Sequence, residues 1–174
     1  MKKRPYLLPL LVALSLWQSG LSAHATPGEV PVGSPLRNLP MQGLTAPSKM
    51  LGDYRGKPLI INVWASYCPP CLAEMGSLER LSKRLGSKAA VIGISIDDYA
   101  DRAHGFLAKT KTTFPHYIDQ KLMLENMLGA NRIPLTLLID AEGKVIQKIG
   151  GAQEWDSSES IRNIQQALRI KLSP

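Results

Sequence analysis

The chain carries its only two cysteines in the stretch Trp64-Ala65-Ser66-Tyr67-Cys68-Pro69-Pro70-Cys71. An almost continuous apolar run over residues 58–64 precedes the pair, and apolar residues at helical spacing follow it. This pattern places the cysteines in a turn between a strand and a helix. Because the start of a helix offers unpaired backbone N–H groups and the positive end of the helix dipole, it stabilises a thiolate. The first hypothesis is therefore a reactive Cys68.

The rest of the chain alternates strand and helix patterns around this turn. The predicted elements are an edge hairpin (39–44 and 49–51), a buried strand (58–64), a helix ending near Gly86, a second buried strand (89–96), a helix through 103–110, a short strand (115–118), a short helix (122–128), a hairpin (135–139 and 145–149) and a final helix with Ile161, Ile164, Leu168 and Leu172 on one face. Glu79 and Lys83 are predicted to pair on the outside of the first helix. The order predicts an α/β fold with a mixed sheet and helices on both faces.

Length and composition limit the organisation of the chain. Its 174 residues, 44% hydrophobic and 20% charged, suffice for one globular domain. The formal net charge is +7, but beyond residue 4 the basic residues form no run and do not alternate with aromatic residues, which excludes nucleic acid as a partner. The Pro- and Gly-rich segment 26–38 predicts a flexible tether, and residues 39–174 the domain, which we expect to be a monomer.

The first 25 residues have the anatomy of a secretory signal peptide. Basic residues at 2–4 precede an apolar stretch over 7–17, and Ala23-His24-Ala25 supplies the small residues that flank a cleavage site. We predict cleavage after Ala25 and export of the mature chain to the periplasm. The alternative is an uncleaved membrane anchor, for which the apolar stretch is short of the roughly 20 residues that span a bilayer.

The spacing of the cysteines predicts chemistry rather than a structural crosslink. A disulfide that closes so short a loop constrains the unfolded chain little, although export would permit one. Thiol-disulfide exchange needs one thiolate that attacks and a second thiol that resolves the mixed disulfide. Cys71 shares a helical face with Met75 and Leu78, so it is expected to point inward and resolve, while Cys68 attacks as the exposed nucleophile.

A metal site is the main alternative from another class of function. Two cysteines are half of a zinc ribbon, and the chain has no second pair. A copper chaperone, with the two thiolates and His104 or His116 holding Cu(I), stays open as an alternative. Haem attachment is excluded because Leu72 follows Cys71. The leading interpretation therefore includes no metal and no cofactor.

Several separated motifs agree in order and spacing with one known family. They are Arg55-Gly56-Lys57-Pro58, Asn62 to Cys71, Glu74, Ile133-Pro134, Glu142-Gly143 and Gly150-Gly151. In these motifs the chain, over residues 36–170, resembles the thioredoxin superfamily and more closely its exported TlpA/ResA/CcmG-like thiol-disulfide oxidoreductases. The resemblance implies a thioredoxin-like fold with an N-terminal extension and a strand–helix insertion.

The resemblance also implies roles for individual residues. Pro134 would be a cis-proline facing the disulfide, the alternative being an ordinary trans proline that opens a strand. Thioredoxin has a buried aspartate where this chain has Asn62, so the proton-handling role would move to Glu74; alternatively, Glu74 only complements the helix dipole. The predicted substrate-contacting residues are Trp64, Tyr67, Pro69, Pro70 and Ile133. For Trp64 and Tyr67 a place in the core is the alternative.

Similarity to this family further implies its partners. These would be a disulfide-bearing protein substrate, with apocytochrome c one family example, and a membrane electron donor of the DsbD/CcdA kind. The two residues between the cysteines are Pro69 and Pro70, and neither position holds a histidine. One route to a strongly oxidising thiol is therefore missing, which favours a reductase. Pro69 and Pro70 also stiffen the first helical turn without removing a needed N–H donor.

Overall fold

The computed structural model describes residues 27–172, and the predicted signal peptide over residues 1–25 lies outside them. The elements are β1 (Pro40–Gly43), β2 (Lys49–Met50), a 3₁₀ helix (Leu51–Tyr54), β3 (Leu59–Trp64), α1 (Pro69–Leu85), β4 (Ala90–Ser95), α2 (Ala100–Thr110), β5 (His116–Ile118), α3 (Met123–Leu128), β6 (Leu135–Ile139), β7 (Val145–Gly150) and α4 (Ser158–Leu168). None of the helices within residues 27–172 has the length and apolar character needed to cross a membrane.

The strands form one mixed sheet in the order β2-β1-β5-β4-β3-β6-β7. β3 pairs in parallel with β4 and antiparallel with β6, and all six of its residues are buried. Alternate β3 side chains enter two cores: Ile60 and Trp64 pack in the core that contains the buried face of α1, and Ile61 and Val63 in the core that contains α3. The predicted fold class is confirmed, with β5 and α3 as the strand–helix insertion before β6.

Two details of the helices differ from the sequence prediction. Glu79 is buried rather than outside, because the backbone N–H and hydroxyl of Thr113 donate to its carboxylate at 2.8 and 2.7 Å; its predicted pair with Lys83 is present at 3.1 Å. The last helix ends at Leu168, where Arg169 turns to a φ of 53°. Leu172 therefore packs against the core from beyond the helix.

The segment predicted to be a flexible tether is fixed to the domain over residues 29–36. Val30 and Leu36 are 4% and 6% exposed, and their N–H groups donate to the carbonyls of Met127 and Gly143 at 2.8 and 2.9 Å. The segment also exchanges backbone hydrogen bonds with Val145 at the start of the edge strand β7. Pro and Gly made the composition look like a linker, but the unpaired edge of β7 offers backbone partners that composition does not reveal.

Two valines of this segment test whether it belongs to the folded unit. Val30→Ala should lower the free energy of unfolding by about 2 kcal/mol, because each buried CH₂ contributes about 0.8 kcal/mol and the cavity adds to the loss. Val32→Ala is the matched control, since Val32 is 56% exposed. Urea unfolding should show a larger loss of stability for Val30→Ala than for Val32→Ala. Equally small losses in both variants would show that the segment is a tether.

Candidate active site

The two cysteines form a disulfide at the junction of β3 and α1. Cys68 is the N-cap of α1, Pro69 and Pro70 are its first two residues, and the S–S distance between Cys68 and Cys71 is 2.02 Å. The backbone N–H of Cys71 donates to Cys68 Sγ at 3.2 Å. The predicted strand-to-helix turn is confirmed, and the sulfur of Cys68 is the one that receives a helix-terminal N–H group.

The two cysteines differ in accessibility. Cys71 is 0% exposed and packs in the core with Met75 and Leu78, whereas Cys68 is 6% exposed. The prediction that Cys68 is exposed is therefore wrong: Cys68 is buried, because its sulfur is bonded to Cys71 and lies against the first helical turn, but it is the more accessible of the pair. An external thiol or disulfide can reach the pair only from the side of Cys68.

The Ile133–Pro134 bond lies at the same end of the central strands as the disulfide. In the antiparallel pairing of β6 with β3, Leu135 lies opposite Val63, so Pro134 is placed at the end of β3 that leads to the cysteines. The bond is cis, as the resemblance implies. Pro134 is buried and Ile133 half-buried, and the carbonyl of Pro134 accepts from the N–H of Gly151 at 2.9 Å.

Glu74 lies behind the disulfide in a buried network of hydrogen bonds. It is 1% exposed, and its carboxylate accepts from Asn62 Nδ2 at 2.7 Å, from Trp155 Nε1 at 2.9 Å and from the N–H of Gln153 at 3.1 Å. Asn62 Nδ2 also donates to Thr136 Oγ1 at 3.0 Å. The carboxylate therefore joins β3, α1 and the segment after β7.

Burial raises the pKa of the Glu74 carboxyl above its usual value, while the hydrogen bonds from Trp155, Asn62 and Gln153 favour the charged form and oppose this. Glu74 is the sixth residue of α1, one turn after Cys71 and beyond the first turn of the helix. Its position does not match the alternative in which it only complements the helix dipole, because that effect is strongest within the first turn. A buried carboxyl with a raised pKa can instead hold a proton beside the cysteine pair.

The two aromatic residues of the motif have different environments. Trp64 is 0% exposed and stacks on Phe106 with ring centroids 4.6 Å apart, so the core interpretation holds for Trp64 and a direct contact with substrate does not. The reason is that Trp64 is the last residue of a strand covered on both faces. Tyr67, three residues nearer the helix, is 66% exposed at the surface beside Cys68.

A second buried carboxylate holds the loop before Cys68, a role that no motif in the sequence indicates. Asp97, two residues after β4, is 1% exposed. It accepts from the N–H and hydroxyl of Ser66 at 2.9 and 2.6 Å and from Ser95 Oγ at 2.7 Å. The only sequence signal was that the parallel strands β3 and β4 end at the same edge of the sheet, which brings residues 66 and 97 together.

The structure does not gather the histidines of the copper alternative around the cysteines. His116 is fully buried, shares a hydrogen bond of 3.0 Å with Thr112 Oγ1 through Nε2, and packs with Phe114 at 4.5 Å between ring centroids. His104 is exposed on α2. Over residues 27–172, no three His, Cys, Asp or Glu side chains form a group suited to a metal ion.

Burial of His116 makes the stability of the domain sensitive to acid. Burial lowers the pKa of His116 from 6.5 to about 4. The unfolded chain therefore binds this proton more tightly than the folded protein does. The free energy of unfolding should fall as the pH drops from 6.5 towards 4, and the total loss below pH 4 should be about 3 kcal/mol. Urea unfolding of His116→Gln and wild type at pH 7, 5 and 4 should show a smaller acid loss in the variant.

The exposed His104 provides the control for this measurement. His104→Gln makes the same substitution at an exposed position on α2, and its acid loss is expected to match that of the wild type. An acid loss in His116→Gln equal to that of wild type would contradict the assignment, because the histidine responsible would then lie elsewhere.

A disulfide that caps the helix after the central strand of a mixed sheet, with a cis-proline at the same edge, is the arrangement of thioredoxin-like thiol-disulfide oxidoreductases. The fold and the site define this class of enzyme. The chain belongs to the Redoxin family, whose model matches residues 31–168.

Individual relatives agree with this assignment. The chain is 30% identical to thiol-disulfide oxidoreductase ResA of Geobacillus thermodenitrificans over 70% of this chain and 71% of the relative. It is 28% identical to ResA of Bacillus cereus over 85% and 84%. A Chlorobium tepidum structure described as thiol:disulfide interchange protein DsbE has the same fold, with a TM-score of 0.73 at 23% identity, covering 80% of this chain and 99% of that one. The chain is thus a TlpA/ResA/CcmG-like member of the thioredoxin superfamily.

Proposed function

We propose that this oxidoreductase is a periplasmic reductase of disulfides in exported proteins, with Cys68 as the attacking and Cys71 as the resolving thiol. The observation that carries the proposal is the unequal exposure of the pair at the helix start, 6% for Cys68 against 0% for Cys71. An attacking sulfur must meet a substrate sulfur in line, so the accessible cysteine is suited to attack. The covered cysteine is suited to act only on its neighbour.

The reaction would proceed in two exchanges. In the first, the Cys68 thiolate attacks one sulfur of the substrate disulfide; a Cys68–substrate bond forms, the substrate S–S bond breaks, and the leaving sulfur takes a proton. In the second, the Cys71 thiolate attacks Cys68 Sγ, which forms the Cys68–Cys71 disulfide and releases the second substrate thiol. The substrate gains two electrons and two protons, and a dithiol electron donor must then reduce the enzyme.

Glu74 is proposed to accept the proton of Cys71 as that thiol becomes a thiolate, and to return it on reduction. Two features support this role: Glu74 follows Cys71 by one helical turn, and burial raises the pKa of the Glu74 carboxyl above its usual value. Asn62 cannot act as a base, but it orients the carboxylate through its bond of 2.7 Å to Glu74 Oε1.

The substrate is proposed to approach across the surface around the disulfide. Tyr67 of the turn, Pro69 and Pro70 at the start of α1, and Ile133 and Pro134 before β6 form this surface. Ile133 is half-buried and Tyr67 is exposed, so both have surface to offer a substrate chain. The location and the partners follow from the predicted signal peptide and the resemblance: a periplasmic monomer that receives electrons from a membrane donor of the DsbD/CcdA kind. Apocytochrome c is one candidate substrate.

Replacement of each cysteine separates attack from resolution. Cys68→Ser should abolish reduction of a disulfide-bonded test peptide, because no thiolate is left to attack. Cys71→Ser should still attack and should accumulate the mixed disulfide, which mass spectrometry of the non-reduced protein detects. Turnover retained by Cys68→Ser, or a mixed disulfide on Cys71 alone, would contradict the assignment.

Glu74→Gln tests the proton role, with Glu79→Gln as a matched control on the same helix. Glu79 is also a buried glutamate, but its partners are Thr113 and Lys83 rather than the network behind the disulfide. Glu74→Gln should slow the resolving step by about 10²-fold, the lower end of what general acid–base catalysis contributes, and should flatten its pH dependence.

Glu79→Gln should leave that rate and its pH profile unchanged. Stopped-flow mixing of the reduced protein with a disulfide whose two thiols can be told apart, from pH 5 to pH 9, gives the rate of the resolving step and its pH profile, because the second thiol leaves only when Cys71 attacks. Equal rates in Glu74→Gln and wild type would remove Glu74 from the reaction.

A further inference from the structure

We propose that the groove between the cysteine turn and α2 is a substrate subsite. It would bind a carboxylate of the substrate close to the substrate cysteine that Cys68 attacks. The inference rests on the proposed function, since it names a preference of the same site. The groove has a volume of about 230 Å³. Its lining residues are Ser66, Tyr67, Cys68, Pro69, Leu72, Phe106 and Lys109. It therefore opens directly beside the sulfur that attacks.

The walls of the groove are apolar and partly uncovered. Tyr67 and Leu72 are 66% and 42% exposed, while Phe106 forms a buried base at 4% exposed. Leu72 is the residue directly after Cys71, on a face of α1 that points to solvent, where helices of globular proteins usually carry polar side chains. Exposed apolar side chains gathered around a reactive group are typical of a contact surface.

Lys109 is the only charged residue in the lining of this groove. It is exposed near the end of α2, and within residues 27–172 no carboxylate forms an ion pair with it. The carboxylates that act on Tyr67 are those of Asp97, Asp98 and Glu125, and none of them lines the groove. A free ammonium at the end of an apolar slot favours a substrate side chain that is apolar along its stem and negative at its tip.

The dimensions of a peptide chain fix where that side chain can lie. When a substrate cysteine is bonded to Cys68, successive residues of an extended substrate are about 3.3–3.6 Å apart. Only side chains one or two positions from the substrate cysteine stay near enough to enter a groove lined by Cys68 itself. The geometry points to substrates with Asp or Glu at one of these positions, with the stem against Leu72 and Phe106 and the carboxylate at Lys109 Nζ.

Disulfide-bonded peptides that differ at one position test the subsite. The peptides carry Glu, Gln or Lys next to one cysteine, and single-turnover reduction by the reduced protein gives a rate for each without any electron donor. The wild type should reduce the Glu peptide about threefold faster than the Gln peptide and the Lys peptide slowest, as for a partly exposed ion pair. The difference should shrink at 0.5 M salt, because salt screens exposed charges.

Charge reversal at Lys109 should reverse the order. Lys109→Glu should prefer the Lys peptide, and Lys109→Gln should lose the difference between the Glu and Lys peptides. Lys57→Glu is the matched control: Lys57 is an exposed lysine two residues before β3, about 20 Å from the end of the strand that leads to Cys68. It should keep the wild-type order.

Three results would contradict the subsite. These are equal rates for the three peptides, an order that Lys109→Glu leaves unchanged, and an equal shift in Lys57→Glu. Reduction of none of the peptides by wild type is a different result, because it would overturn the proposed reductase function and the subsite with it. Normal rates without a charge preference would leave the reductase intact and remove only the subsite.

Discussion

The buried carboxylate of Glu74 is the constraint on which the arrangement of the site depends. A carboxylate removed from water loses several kcal/mol of solvation unless hydrogen bonds replace it. The replacements come from Asn62 on β3, and from Trp155 and the backbone of Gln153 after β7. Because these donors must converge on one side chain of α1, the helix that carries the cysteines is held in a fixed position against the central strand.

Asp97 acts in the same way on the other side of the disulfide. Its three short hydrogen bonds from Ser66 and Ser95 fix the loop before Cys68, as Glu74 fixes the helix after Cys71. The four residues 65–68 between β3 and α1 therefore have little conformational freedom. Such support keeps a reactive group within the narrow geometry that in-line exchange requires, and it comes from the buried carboxylates of Glu74 and Asp97.

Patterns within the chain predicted the elements and the reactive pair, whereas contacts between distant segments decided what was missed. β3, β4 and α1 follow from apolar runs and helical spacing, and the positions of Cys68, Cys71 and Glu74 follow from the motif. Trp155 lies 81 positions from Glu74, and no local pattern links the two. The backbone pairing of residues 33–35 with the edge of β7 was hidden for the same reason, and Pro and Gly there suggested a linker instead.

The scaffold also determines where specificity can arise. Cys71 and Glu74 are buried and the Ile133–Pro134 bond is cis. In the proposed mechanism these residues therefore act in the same way on every disulfide that reaches Cys68. Selection among substrates must therefore come from surface residues next to Cys68. Two surfaces beside Cys68 can contact a substrate. One is the surface at Ile133, which is half-buried and directly precedes the cis-proline. The other is the groove towards α2, where Lys109 adds a charge that distinguishes one substrate sequence from another.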